Sequence, residues 1–226
     1  GFSYEGYPLS SVFSIPFLGL TNEGMPRFYN ERGVETLGDF NFSSSNINFL
    51  KYSGTLDPTD VGTLTNTFRY KNFTFSANIN YEFGAVTRLR SISNTDDYSA
   101  FPRELTQRWK KPGDEAYTDI PRIPTSYAFD QYGADNLING FYAYSASTAR
   151  IVSADLVRLK EISMEYTVSK TLLRRTPLKN LAVKLQAQNL MLLYSDARLR
   201  GDDPAYMYSS SVTAPKKLIL TLRVGL

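Results

Sequence analysis

The sequence predicts an all-β protein, a segment of an antiparallel transmembrane β-barrel with about seven strands. Three observations carry that expectation. From Phe73 to Phe83 the chain alternates strictly, with Phe73, Phe75, Ala77, Ile79, Tyr81 and Phe83 set against Thr74, Ser76, Asn78, Asn80 and Glu82. Successive side chains of a strand point to opposite faces, so one face is apolar and the other polar. The stretch before it alternates as well, Leu64, Phe68 and Tyr70 against Thr63, Thr65, Thr67 and Arg69, and the pair turns at Lys71-Asn72. Both runs exceed the ~5–6 residues usual for a soluble strand and match the about 9–11 that a tilted strand needs to cross a bilayer.

The elements follow in order. Residues 11–20 read as a first strand with Phe13, Ile15 and Phe17 on one face, weakened by Pro16, which has no N–H for a ladder. Residues 21–26 (TNEGMP) make a turn, and 27–30 open a second strand. Residues 30–61 are rich in Asn, Ser, Gly and Asp and read as a long loop. After the hairpin at 63–83, residues 84–153 hold Pro102, Pro112-Gly113, Pro121, Pro124 and the sole tryptophan, Trp109. That stretch reads as a long irregular loop with an extra strand within 136–147, and a loop of such length argues for a functional role.

Residues 156–168 form a strand in which Ile162, Met164, Tyr166 and Val168 share one phase and Val157 and Leu159 the other. A bulge near Lys160-Glu161 reconciles them. A connection at 169–180 carries a helical turn at 171–175. Residues 181–194 place Leu181, Val183, Leu185 and Ala187 against Lys184, Gln186 and Gln188. A polar loop spans 195–215 around Gly201-Asp202-Asp203-Pro204. Leu218, Leu220, Leu222, Val224 and Leu226, against Thr221 and Arg223, make the last strand. With the C-terminus on the periplasmic side, the loops at 30–61, 84–153 and 195–215 fall outside and the short connections at 21–26, 71–72 and 169–180 inside, the asymmetry of bacterial barrels.

Composition narrows the function. The chain of 226 residues has no Cys and no His, which removes thiol nucleophiles, disulfides, Ser-His triads and ordinary zinc sites. The net charge is +3, and the pairs Lys110-Lys111 and Arg174-Arg175 are too isolated for nucleic acid. No run of about 18 apolar residues exists, so no transmembrane helix is expected. The chain opens in mid-pattern at Gly1-Phe2-Ser3-Tyr4 with no signal peptide, and about seven strands leave two open edges that lipid cannot satisfy. A mature fragment or partial chain is therefore expected.

Several segments resemble one family. Residues 157–166 (VRLKEISMEY) look like the "LRLKNITLGY" strand of SusC-like (RagA/SusC family) TonB-dependent transporters of Bacteroidetes outer membranes, and Lys170-Thr171-Leu172-Leu173 looks like the "lysine-x-leucine-leucine" turn after it. Gln188-Asn189-Leu190 resembles "GQNL", Gly201-Asp202-Asp203-Pro204 resembles "GYDPE", and Arg108-Trp109, Pro112-Gly113-Asp114 and Ile120-Pro121-Arg122 resemble an "RW…PGD…IPR" loop. Lys51-Tyr52-Ser53-Gly54 and Asn66-Thr67-Phe68-Arg69-Tyr70 fit the same style. Each motif is weak alone; the ordered set is specific.

The resemblance implies that residues 1–226 are the C-terminal third of an about 22-stranded barrel, without its plug domain, TonB box and earlier strands. It departs from the family at Leu226, where such barrels end in an aromatic. It implies a Gram-negative outer-membrane importer of nutrient oligomers, oligosaccharides first and oligopeptides second. A SusD-like surface lipoprotein caps it, the TonB complex acts through the plug, and no enzymatic activity or nucleic acid is involved. A stand-alone β-sandwich or small-barrel glycan-binding surface protein is the alternative.

The expected sites follow. Trp109, Tyr117, Asp119, Arg122, Tyr127 and Tyr142, together with Tyr144, are the candidate substrate contacts, against the plainer reading that they pack the loop or sit at the interface. Phe68, Tyr70, Phe73, Phe75, Ile79, Tyr81, Phe83, Tyr166, Leu220 and Leu222 are assigned to lipid. The carboxylate pairs Asp96-Asp97, Asp114-Glu115 and Asp202-Asp203 do not face one another as an acid/base pair does. No cofactor is expected; Asp202 and Asp203 are candidate Ca²⁺ ligands, with a polar turn ahead of Pro204 the favoured reading.

Overall fold

A computed structural model of the chain describes residues 4–41, 47–90, 103–207 and 214–226. Asp96, Asp97 and Pro102 lie outside them. Along the chain come β1 (Ser11–Ser14), β2 (Phe17–Leu20), β3 (Pro26–Tyr29), β4 (Glu35–Thr36), β5 (Lys51–Thr55), β6 (Asp60–Tyr70), β7 (Phe73–Phe83) and β8 (Val86–Arg88). They are followed by α1 (Ser126–Tyr132), α2 (Ala134–Ser145), β9 (Ile151–Ser153), β10 (Leu156–Thr167), α3 (Lys170–Leu173), β11 (Asn180–Tyr194) and β12 (Lys217–Gly225). The chain divides into two units, 1–56 with 86–152, and 57–85 with 153–226.

The second unit is one antiparallel sheet in the order β12-β11-β10-β7-β6. The expected hairpin forms, with Lys71 at φ 51 in its turn, and Asn72 both accepts from the Thr167 N–H (2.9 Å) and donates its Nδ2 to the Thr167 carbonyl (2.5 Å). The expected bulge also forms: Leu159 pairs with Ile79 but Glu161 with Asn78, leaving Lys160 extra. A second irregularity lies beside it, since Leu159 pairs with Met191 and Glu161 with Gln188, and Asn189 takes φ 55. At the other end Gly84 N–H donates to Asp155 Oδ1 (2.7 Å) and Ala154 N–H to the Ala85 carbonyl (2.9 Å). The entry to β6, the β7–β10 connection and the β11–β12 loop share that end; the turns at 71–72 and after β10 share the opposite one. The long-and-short asymmetry read from the sequence therefore holds for these five strands.

The first unit differs from its expectation. Residues 11–20 are two strands in different sheets, β1 paired with β5 and β2 with β3, broken at Ile15-Pro16. Pro16 removes a ladder donor, and Ile15 instead bridges Ser147. The segment 21–26 is thus a turn of this unit and not one of the large sheet's, so that sheet counts five strands where about seven were expected. Residues 136–145 fall in α2, not in a strand, and Ser147 beyond it makes the isolated bridge to Ile15. Leu137, Gly140, Phe141 and Tyr144 recur at helical spacing and are buried, and Ala143 and Tyr144 join Ile15, Phe28 and Leu105 in a core.

Gly140 costs a helix about 1 kcal/mol against alanine, but tertiary contact needs it. A Cβ there would lie 2.7 Å from the Leu37 carbonyl, and one on Gly38 would lie 1.9 Å from the Asn136 carbonyl. The two backbones touch because neither residue has a side chain. Buried among these elements, Arg150 (2% exposed) forks onto Glu104 at 2.7 and 2.8 Å, donates to the Arg90 carbonyl at 2.5 Å and lies 5.5 Å from the Tyr144 ring centre. Burial pushes the Tyr144 hydroxyl up to about 12, partly offset by Arg150.

Candidate functional site

Cross-strand partners lie on the same face of a sheet, so the register of the large sheet can be read as rows. One face carries the rows Tyr70-Phe73-Tyr166-Val183-Leu222, Phe68-Phe75-Met164-Leu185-Leu220, Asn66-Ala77-Ile162-Ala187-Leu218, Leu64-Ile79-Leu159-Met191 and Gly62-Tyr81-Val157-Tyr194. Asn66 is the polar residue of the middle row, on the edge strand β6. Tyr81 lies over Gly62, where a Cβ would meet the ring at 2.4 Å. Leu218 is 80% exposed, Leu220 72% and Tyr70 70%, and nothing among the described residues covers this face. An apolar surface spanning five strands and exposed to this degree requires a non-aqueous cover. All ten residues assigned to lipid in sequence are in these strands; Phe83 pairs with Asp60 at the rim.

The opposite face carries Arg69-Thr74-Glu165-Lys184-Thr221, Thr67-Ser76-Ser163-Gln186-Ile219, Thr65-Asn78-Glu161-Gln188-Lys217 and Thr63-Asn80-Arg158-Leu192. Its side chains bond across strands: Thr63 to Asn80 (3.2 Å), Asn78 to Thr65 (2.8 Å), Thr67 with Ser76 (2.9 Å), and Gln186 and Gln188 to the two Glu161 oxygens (2.9 Å each). Two of the sequence motifs meet here. Arg158 of β10 grips Asp203 of the 195–216 loop through two bonds of 2.7 Å, and Asp203 Oδ1 also accepts from Ala205 N–H. Asp203 is thereby tied to the polar face, and a cavity of about 600 Å³ opens beside Arg158, Asn189, Tyr194 and Lys216. A cation at Asp202 and Asp203 would have to displace the guanidinium. Among the described residues no three acidic side chains converge on a metal position.

The candidate substrate residues belong to the first unit and are dispersed within it. Trp109 is 7% exposed, and its ring covers Gly24, where a Cβ would fall 2.4 Å from the indole. Its Nε1 donates to Glu115 Oε2 at 2.9 Å, the same oxygen that takes the Gly113 N–H at 2.8 Å, and Arg122 lies 6.0 Å from the ring centre. Asp114 Oδ2 caps the turn by accepting from Lys110 and Lys111 N–H. The tryptophan motif therefore folds around its own ring. Tyr144 is buried, while Tyr117 (92%), Tyr127 and Tyr142 are exposed, as is Asp119. Sequence reasoning did not single out Arg158, Glu161, Gln186 or Gln188 as a group; the alternation of amides in β11 opposite an acidic residue in β10 is the signal that could have.

The indole N–H, foremost, holds the Glu115 carboxyl below the usual glutamate range. A depressed carboxylate contributes stability above the ordinary glutamate value that is lost as pH falls through the lowered one. Trp109 emission should therefore shift to the red on acidification below the glutamate range. Glu115→Ala should be red-shifted at neutral pH and show no acid step. An unshifted wild-type spectrum in acid counts against the contact.

No protein-family profile and no curated protein sequence matches this chain. Solved structures do. The chain is similar to a chain of the RagAB peptide importer in its 'open-open' state, with TM-score 0.63 and 16% identity over 98% of this chain and 23% of that one. For the RagAB peptide transporter the values are 0.61, 16%, 95% and 22%, and for the 'closed-closed' state 0.62, 16%, 99% and 25%. The chain thus spans 22% to 25% of the length of these neighbours and shares their fold over nearly all of its own.

Proposed function

We propose that residues 1–226 are the C-terminal part of a SusC-like, TonB-dependent importer in the outer membrane of a Gram-negative bacterium. The observation that carries this is the five-stranded sheet, which is apolar on one face, polar on the other and built from strands of bilayer-crossing length. Outer-membrane lipid covers the apolar rows, and the polar rows line a lumen. The remaining barrel strands pair with the open edges of β6 and β12, and a plug, acted on by the TonB complex, fills the interior. A SusD-like surface lipoprotein caps the end that bears the long connections. Oligopeptide moves ahead of oligosaccharide as the cargo class, because the structural neighbours are peptide importers. The alternative, a stand-alone glycan-binding sandwich, would need a second sheet over Leu218, Leu220 and Leu222.

The test is the fractionation and intact mass of the native protein. The sequence should be found in detergent-extracted outer membrane, within a polypeptide, or a set of co-purifying pieces, several times the 25.5 kDa of this chain. A 25.5 kDa species soluble without detergent and without companions would overturn the reading.

A further inference from the structure

The two adjacent irregularities in β10 and β11 leave a polar recess of about 280 Å³, lined by Thr65, Ser76, Asn78, Lys160 and Glu161. Bulges occur next to binding and active sites, where they re-aim a side chain. Here the extra residue is Lys160, exposed, its side chain making no hydrogen bond or salt bridge among the described residues. The Glu161 carboxylate, each of whose oxygens accepts a glutamine N–H from β11, attracts it across the same recess without a salt bridge. Asn78 gives its Nδ2 to Thr65 Oγ1 at 2.8 Å, which leaves its Oδ1 buried with no donor among the described residues. Thr67 and Ser76 share a single hydrogen bond. The recess therefore presents one cation that makes no hydrogen bond among the described residues and one unfilled acceptor, beside the Glu161 carboxylate.

Water would satisfy the acceptor and hydrate the exposed ammonium, but it brings no opposite charge to Lys160. A group that satisfies both carries an anion and a donor on neighbouring atoms. The last residue of a peptide has that combination, its carboxylate and its amide N–H lying on either side of one Cα. We propose that this recess is a subsite for the C-terminal carboxylate of an imported oligopeptide, with Lys160 Nζ on the carboxylate and Asn78 Oδ1 on the terminal N–H. The assignment rests on the importer reading and on the polar face lining its lumen. Charge-assisted bonds are about twice as strong as neutral ones, so the carboxylate end governs affinity.

The experiment is calorimetric titration of the whole detergent-solubilised importer with penta-alanine carrying a free C-terminus, and with the same peptide as its C-terminal amide. The free acid should bind about tenfold tighter than the amide. Lys160→Gln should bring the acid down to the amide's affinity without changing the amide's, and Lys160→Arg should restore most of the difference. Equal affinities in the wild type, or a preference that survives Lys160→Gln, would overturn the subsite while leaving the peptide reading intact. If neither peptide binds, the peptide reading fails and the subsite with it.

Discussion

Leu220→Arg should abolish stable membrane assembly, whereas Thr221→Arg, one residue along on the other face, should be tolerated. Leu220 lies one row from the middle of the apolar face, in line with Leu185, Met164, Phe75 and Phe68. An arginine near the centre of a lipid-facing strand costs about 2–4 kcal/mol, falling to about 0–1 near the interfaces. The contrast is diagnostic because the same substitution in water would remove an exposed leucine at little cost. Denaturant titration of the protein in lipid or detergent, read by the loss of heat-modifiable migration, checks it. Equal stability of the two variants would remove the bilayer from the account of this face.

Arg150→Met should destabilise the first unit by about 3–5 kcal/mol, the cost of leaving one member of a buried ion pair without its partner. Its guanidinium fills three roles at once: it neutralises Glu104 through two bonds, takes the Arg90 carbonyl and lies beside the Tyr144 ring. Arg150→Lys should recover only part of the loss, because an ammonium cannot reproduce the planar fork. The double variant with Glu104→Met should be milder than Arg150→Met alone, since no buried charge is left unpaired. Urea unfolding followed by the emission of Trp109, in the same unit, measures all three. A double variant as damaged as Arg150→Met would show that packing rather than charge sets the cost.

The large sheet was legible in sequence because its two faces meet different environments, which enforces an alternation of period two on every strand. The bulge at Lys160 could be read for the same reason: one extra residue between Leu159 and Ile162 flips the phase of β10. The neighbouring irregularity could not. Between Gln188 and Met191, β11 spans two more residues than β7 does between Asn78 and Ile79, and two extra residues leave the alternation unchanged. The first unit was opaque for another reason. Its helix α2 contains Gly140 and several aromatics that suit strands, and it is held by the contact with Gly38, a residue roughly a hundred positions away that no local pattern announces. For the candidate site, residue type alone could not distinguish Trp109, whose ring is enclosed by its own loop, from the exposed Tyr117, Tyr127 and Tyr142.

The hydrogen bonds at Gly84–Asp155 and Ala85–Ala154 also bear on how this chain can change. They join the two ends of the connection between β7 and β10 within the sheet's own unit, at the edge of the β7–β10 pairing. Lengthening such a segment costs only about 0.6 kcal/mol per doubling in closure entropy. The five-stranded sheet can thus act as a fixed chassis while the 86–152 segment varies in length and content.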